Sequence, residues 1–259
     1  MKVVCIGAGR VATHLAPALH RSGAEVVEVW SRTQASAELL ARRLQCKAVW
    51  GSLDVVSTDA DLYVLCVTDA ALAEVVRRLH VGREQALFVH TAGSMPLGLF
   101  ADSGHTRGGV FYPMQTFSLE REVDFASVHF FLETSVATDF PLLMQLAERL
   151  APAANIHSST SALRRRLHLA AVFACNFANH CCTLADDLLA EAGLDFSILL
   201  PLVDETVAKL HQLPPHKAQT GPAARNDENV MGIHRAMLAD RPDMQNLYSL
   251  LSKSIQRYD

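Results

Sequence analysis

The chain has 259 residues, of which half are hydrophobic and 19% are charged, with a formal net charge of −4. That apolar content can fill the core of one large domain or two smaller ones. The near-balanced charge gives no footing to a nucleic acid or a membrane surface, no apolar stretch reads as a membrane span, and the opening strand does not read as a signal peptide.

The first element is a strand, Val3 to Ile6, that runs straight into Gly7, Gly9 and Ala12. The spacing is G-x-G-x-x-A at a strand-to-helix turn, the fingerprint of a dinucleotide-binding βαβ unit. Gly7 makes the tight turn, Gly9 lets the backbone approach a pyrophosphate, and Ala12 lets the helix lie close on the sheet. The phosphates then meet the unpaired N–H groups at the start of a helix over Val11 to His20. Gly7, Ala8, Gly9, Arg10 and Val11 are therefore the candidate phosphate-binding residues, with a purely structural turn as the alternative.

A second strand, Glu25 to Trp30, ends in Ser31-Arg32-Thr33. A cofactor with a free ribose 2′-OH calls for an acidic residue at this strand end. Here an arginine stands between two hydroxyls, and Arg32 can make paired hydrogen bonds to a 2′-phosphate while Ser31 and Thr33 donate. The pattern favours NADP(H) over NAD(H). The alternative is that Arg32 is solvated and Thr33 caps the next helix, Ala35 to Leu44.

Strands follow at Lys47 to Trp50, Leu62 to Val67, Ala86 to Thr91, Gly109 to Tyr112, Val128 to Leu132 and Ala154 to His157, with helices at Ala70 to Leu79 and Phe140 to Leu150. Near-continuous apolar strands alternating with helices predict an α/β Rossmann-type doubly wound, mostly parallel sheet over residues 1–157. Ligands on such sheets bind beyond the carboxyl ends of the strands. That adds Thr68, Asp69 and Thr91 to the candidate cofactor residues, and Gly93, Ser94 and Gln115 to those for substrate. Tyr112 reads as packing.

From Ser161 to Ala192 the apolar residues run at helical spacing, and further helices are expected at Phe196 to Leu213, Asp227 to Ala239 and Pro242 to Tyr258. Residues 158–259 thus form an all-helical substrate and dimerisation domain. Its first helix is apolar nearly all round, which predicts burial on several sides and a homodimer through this domain. The six cysteines are scattered without a C-x-x-C pair and read as reduced thiols of a cytoplasmic protein. His211, His216 and His234 match no metal-ligand spacing, so no metal is expected.

Five stretches together resemble one family: Gly7-x-Gly9-x-x-Ala12, His90-Thr-Ala-Gly-Ser94, Tyr112-Pro-Met-Gln-Thr-Phe117, the helix from His168 through Asn176-Phe177, and Thr220-Gly-Pro-Ala-Ala-Arg225-Asn-Asp227. The chain resembles, over essentially its whole length, bacterial proteins that join a Rossmann-like domain to a C-terminal helical domain of unknown function and are described as NADP oxidoreductases. The wider superfamily includes pyrroline-5-carboxylate reductase, deazaflavin-dependent NADP reductase, ketopantoate reductase and the β-hydroxyacid dehydrogenases. In the last two, a catalytic lysine stands one turn before an asparagine. If Asn176 matches that asparagine, Val172 fills the lysine position and cannot protonate a carbonyl.

The remaining polar groups of this helix become the candidates. His168, Val172 and Asn176 are spaced to share one helix face. His168 suits a proton donor and Asn176 can orient the nicotinamide amide or a substrate carbonyl; both can instead make structural hydrogen bonds. Arg225 can clamp a substrate carboxylate or phosphate, or pair with Asp227 and lock its loop. Two functions are compatible with these residues. One is an NADPH-dependent reductase of a small carbonyl or imine; the other is an NADP(H)-binding sensor without turnover.

Overall fold

In the computed structural model, which describes residues 1–258, the apolar runs become eight strands: β1 (Lys2–Ile6), β2 (Glu25–Ser31), β3 (Lys47–Trp50), β4 (Leu62–Leu65), β5 (Leu87–His90), β6 (Gly108–Met114), β7 (His129–Thr134) and β8 (Ile156–Ser158). They form one sheet in the order β3-β2-β1-β4-β5-β6-β7-β8. Neighbours pair in parallel except β6 and β7, which run antiparallel from Gly109 opposite Thr134 to Met114 opposite His129. Six helices accompany the strands: α1 (Arg10–Arg21), α2 (Gln34–Leu44), α3 (Asp69–Leu79), α4 (Leu99–Asp102), α5 (Phe140–Glu148) and α6 (Ser161–Ala171).

The side chains of β1 show why its sequence has no polar alternation. Val3 and Cys5 enter one core with Leu15, Leu40, Phe111 and Leu143, whereas Val4 and Ile6 enter a second with Leu65, Leu72 and Phe88. Successive residues point to opposite faces, and helices cover both, so every position must be apolar. This is the expected Rossmann-type fold. The strand order reverses between β1 and β4, and the crevice at their carboxyl ends is where such a sheet takes ligand.

The chain divides into two compact units, Met1–Cys175 and Asn176–Asp259. The sequence reading divides it at residue 157 instead. α6 belongs with the first unit because Ser161 and Arg164 hydrogen-bond to β7 and to the loop after β5. After α6 comes a π-helical stretch, Val172–Phe177, and then α7 (Ala178–Glu191), α8 (Leu200–Leu210), α9 (Pro215–Ala218), α10 (Glu228–Met237) and α11 (Pro242–Gln256). The second unit is helical, as expected.

Two features depart from the sequence reading. The helical run Ser161–Glu191 spans 31 residues and is, by length and composition alone, apolar enough to cross a membrane. Its charged and histidine residues break the run for the eye without lowering its average below that of a span. Its apolar side chains are also largely uncovered: no residue of α7 or α8 is buried.

Candidate active site

The turn after β1 is built for a close approach. Gly7 has φ +112°, and a Cβ there would lie 2.4 Å from the Cys66 carbonyl oxygen. Its N–H donates to the Trp30 carbonyl at 2.7 Å. The turn is thus wedged between β4 and β2, and only glycine fits. At Gly9 the situation is opposite, since a Cβ would meet nothing within 4 Å. α1 begins at the next residue with no side-chain cap and no acidic residue in its first turn. Its first N–H groups keep their hydrogen-bonding capacity. Half-buried Ala8 and Val11 and exposed Arg10 flank this space. Open room in front of an uncapped helix start fits a pyrophosphate.

At the end of β2, Arg32 and Thr33 are exposed while Ser31 is buried as the last strand residue. Arg32 makes no ion pair among the described residues, and no carboxylate pairs with it at this strand end. Thr33 stands at the N-cap of α2 but donates its hydroxyl to Ser36 Oγ at 2.9 Å. The guanidinium therefore keeps its donors for a ligand.

The loops after β4 and β5 are tied together. Ser94 donates to the Asp69 carboxylate at the start of α3, and Thr91 Oγ1 reaches the Leu65 carbonyl at 3.5 Å. A buried network holds the rest of the β5 loop. Arg164, fully buried on α6, pairs with Glu133 of β7 at 2.5 Å and donates to the Met95 carbonyl. Ser161 Oγ accepts from the Leu97 N–H at 2.9 Å and donates to Glu133.

That loop presses Gly93 against the side chains of His168 and Tyr112. A Cβ on Gly93 would come within 2.8 Å of His168 Nδ1 and 2.9 Å of Tyr112 Cζ. The room left by this glycine is taken up by those rings, whereas the sequence reading reserves it for ligand. His168 is half-buried on α6, and Tyr112 is buried on β6. The structure thus gathers His168, Gly93, Ser94, Asp69 and Thr91 at the carboxyl ends of neighbouring strands.

Other candidates lie elsewhere. Gln115 is exposed, and its side-chain oxygen accepts from the next residue's N–H at 2.8 Å. Asn176 is exposed within the π-helical stretch. The wider turn there interrupts the α-helical stripe on which His168, Val172 and Asn176 were expected to align. Arg225 is exposed, and Asp227 does not pair with it but caps α10, accepting from the Val230 N–H at 3.1 Å. A cavity of about 510 Å³ bordered by Met1, Asp61, Arg83 and Arg107 sits at the amino ends of the strands and includes none of the candidates.

Residues 1–111 match the Rossmann-like domain family, and residues 128–255 match the domain of unknown function DUF2520. A Bacteroides fragilis protein named as a proposed NADP oxidoreductase is 48% identical, with 99% of this chain and 98% of that one covered and a TM-score of 0.93. The chain belongs to the same family, a Rossmann-like domain joined to a DUF2520 domain. The fold extends to more distant proteins. A reductive aminase from Aspergillus terreus, solved with NADPH and ethyl levulinate, matches at 15% identity and a TM-score of 0.71, covering 99% of this chain and 94% of its own. A pyrroline carboxylate reductase from Plasmodium falciparum, solved with NADP, matches at 12% identity and 0.55, covering 100% and 98%. No curated protein matches the chain.

Sequence reasoning passed over Arg164 and Glu133. The run Arg164-Arg165-Arg166 looks like a solvated face, and only the fold shows that the first of the three is fully buried.

Proposed function

We propose that this protein is an NADPH-dependent oxidoreductase that reduces a small carbonyl or imine substrate. The observation that carries the reading is the open space at Gly9 before the uncapped start of α1. The Gly7 to Val11 turn holds the pyrophosphate. Arg32 and Thr33, on the neighbouring strand end, hold the 2′-phosphate, and Thr68, Asp69 and Thr91 form the rim toward the nicotinamide half. The name of the Bacteroides fragilis relative points the same way. When bound, the reduced nicotinamide supplies a hydride.

His168 is the imidazole of this rim, a group able to give or take a proton. Ser94, held by Asp69, positions the substrate. For Asn176, as the group that orients the reacting end, and for Gln115 and Arg225, as holders of its polar tail, the support is the sequence pattern. Six free cysteines support a cytoplasmic location.

The partner we propose is a second copy of the chain. Among the described hydrophobic residues from Asn176 onward, only Ala223, Met231 and Leu238 are buried, while Leu188, Ile198, Leu202 and Val207 are among those exposed. A partner that must always be present to cover such a unit is best supplied by the same chain through a two-fold contact. Lipid suits the helix less well, because Asn176, Asn179 and His180 would be left without partners in hydrocarbon.

Cofactor choice is tested by titrating the protein with NADPH and NADH and following tryptophan fluorescence. NADPH should bind more tightly. Arg32→Asp should weaken NADPH binding by about tenfold or more and spare NADH, since a charge-assisted hydrogen bond contributes roughly 1.5–3 kcal/mol. Equal loss for both cofactors would exclude Arg32 as the reader of the 2′-phosphate.

A further inference from the structure

Reducing a C=O or C=N bond with hydride requires one proton, and the valine at position 172 cannot give it. Tyr112 offers a hydroxyl beside His168 at the carboxyl end of β6. Its hydroxyl lies 3.5 Å from His168 Nδ1, with the two rings edge-on and their centroids 6.4 Å apart. Among the described residues this hydroxyl meets no other hydrogen-bonding group. Phe131 of β7 packs on the tyrosine ring at 6.3 Å, and Gly93 closes on the carbon that bears the hydroxyl. The side chain is therefore fixed, and its only polar atom is directed to an imidazole at the ligand end of the sheet.

We propose that Tyr112 and His168 act as one acid, with Tyr112 Oη giving the proton to the substrate and His168 restoring it. This rests on the reductase reading given above. In the step, the Tyr112 O–H bond breaks and its electron pair stays on the phenolic oxygen. A new O–H or N–H bond forms on the product at the heteroatom that has received the π-electron pair. A proton then passes from the His168 ring to the phenolate, and solvent reprotonates the half-buried imidazole. Burial raises the Tyr112 hydroxyl above the ordinary phenol range, the Arg164 charge acts against this, and the Cys175 thiol adds to it. The phenol therefore keeps its proton at neutral pH, as a donor must. A separation of 3.5 Å is long for a hydrogen bond, and catalytic contacts of this kind shorten once ligand is bound.

Tyr112→Phe removes one oxygen from a packed ring and keeps its volume, so the fold should persist. Three readouts are taken on wild type and variant: NADPH affinity, turnover against pH with a substrate that wild type consumes, and the titration of the His168 ring by NMR. The proposal expects unchanged NADPH affinity and turnover lowered about a hundredfold, the low end of the usual general-acid contribution. It also expects the pH dependence of turnover to differ between variant and wild type, and a displaced His168 titration curve. His168→Gln should lower turnover while leaving NADPH affinity within about twofold. Turnover of Tyr112→Phe within about threefold of wild type would overturn the proposal and leave the reductase reading intact. So would an unmoved His168 titration. A wild type that binds NADPH and consumes no substrate would overturn the reductase reading, and the proposal with it.

Discussion

His90 is the last residue of β5 and is fully buried, stacked on Phe100 with its Nδ1 accepting from the Ala92 N–H at 3.2 Å. Burial, and secondarily the Arg164 charge, push its pKa down to about 3. In the unfolded chain a histidine titrates near pH 6.5. Below that pH the unfolded state takes up a proton that the folded state refuses, so stability is lost as pH falls from about 6.5 toward about 3. The slope from one such group approaches roughly 1.4 kcal/mol per pH unit. His90→Leu should reduce, by about one proton, the pH dependence of the urea midpoint between about pH 7 and about pH 5. An unchanged slope would mean that other groups, such as buried His105, account for the acid sensitivity. At this scale the glycines of the turn after β1 were legible because their pattern is local to six residues. Tyr112 was not, because its partner is 56 positions away on another element.

At the scale of elements, α6 is held by charge as well as by apolar packing. The Glu133 side chain is 16% exposed and Arg164 is fully buried, so removing the carboxylate leaves an unpaired guanidinium in the interior. Glu133→Ala should cost about 3–5 kcal/mol in urea unfolding. Glu133→Gln, which keeps an acceptor for Ser161 and Arg164, should cost less. A loss below about 1 kcal/mol for the alanine variant would show that the network carries little of the anchoring. The strands from β1 to β6 were readable as apolar runs because both faces of the sheet are covered. The antiparallel turn from β6 to β7 was not, because apolar patterning says nothing about strand direction. Nor was the π-helical stretch, since its residues follow the same apolar pattern as their α-helical neighbours. It includes Val172 and Asn176, the positions that the sequence reading compares with a lysine and an asparagine.

For the whole molecule, the exposed apolar surface of the second unit is the basis of the proposed assembly. Monomeric soluble proteins rarely expose large contiguous apolar patches. Multi-angle light scattering at micromolar concentration should give twice the 28.3 kDa chain mass. Monomer mass under those conditions would remove the second copy as the cover for α7 and α8. The sequence suggests the same assembly through the high apolar content of the helical run Ser161–Glu191. In the proposed function the protein supports reduction of a substrate as well as binding of a dinucleotide. That reduction is tested most directly by following the reduced-nicotinamide absorbance of a mixture of protein and NADPH as small ketones, keto acids and imines are added in turn. A protein-dependent loss of absorbance is expected with at least one of them. Saturable NADPH binding with no loss across the series would contradict it and identify the protein as a sensor of its cofactor.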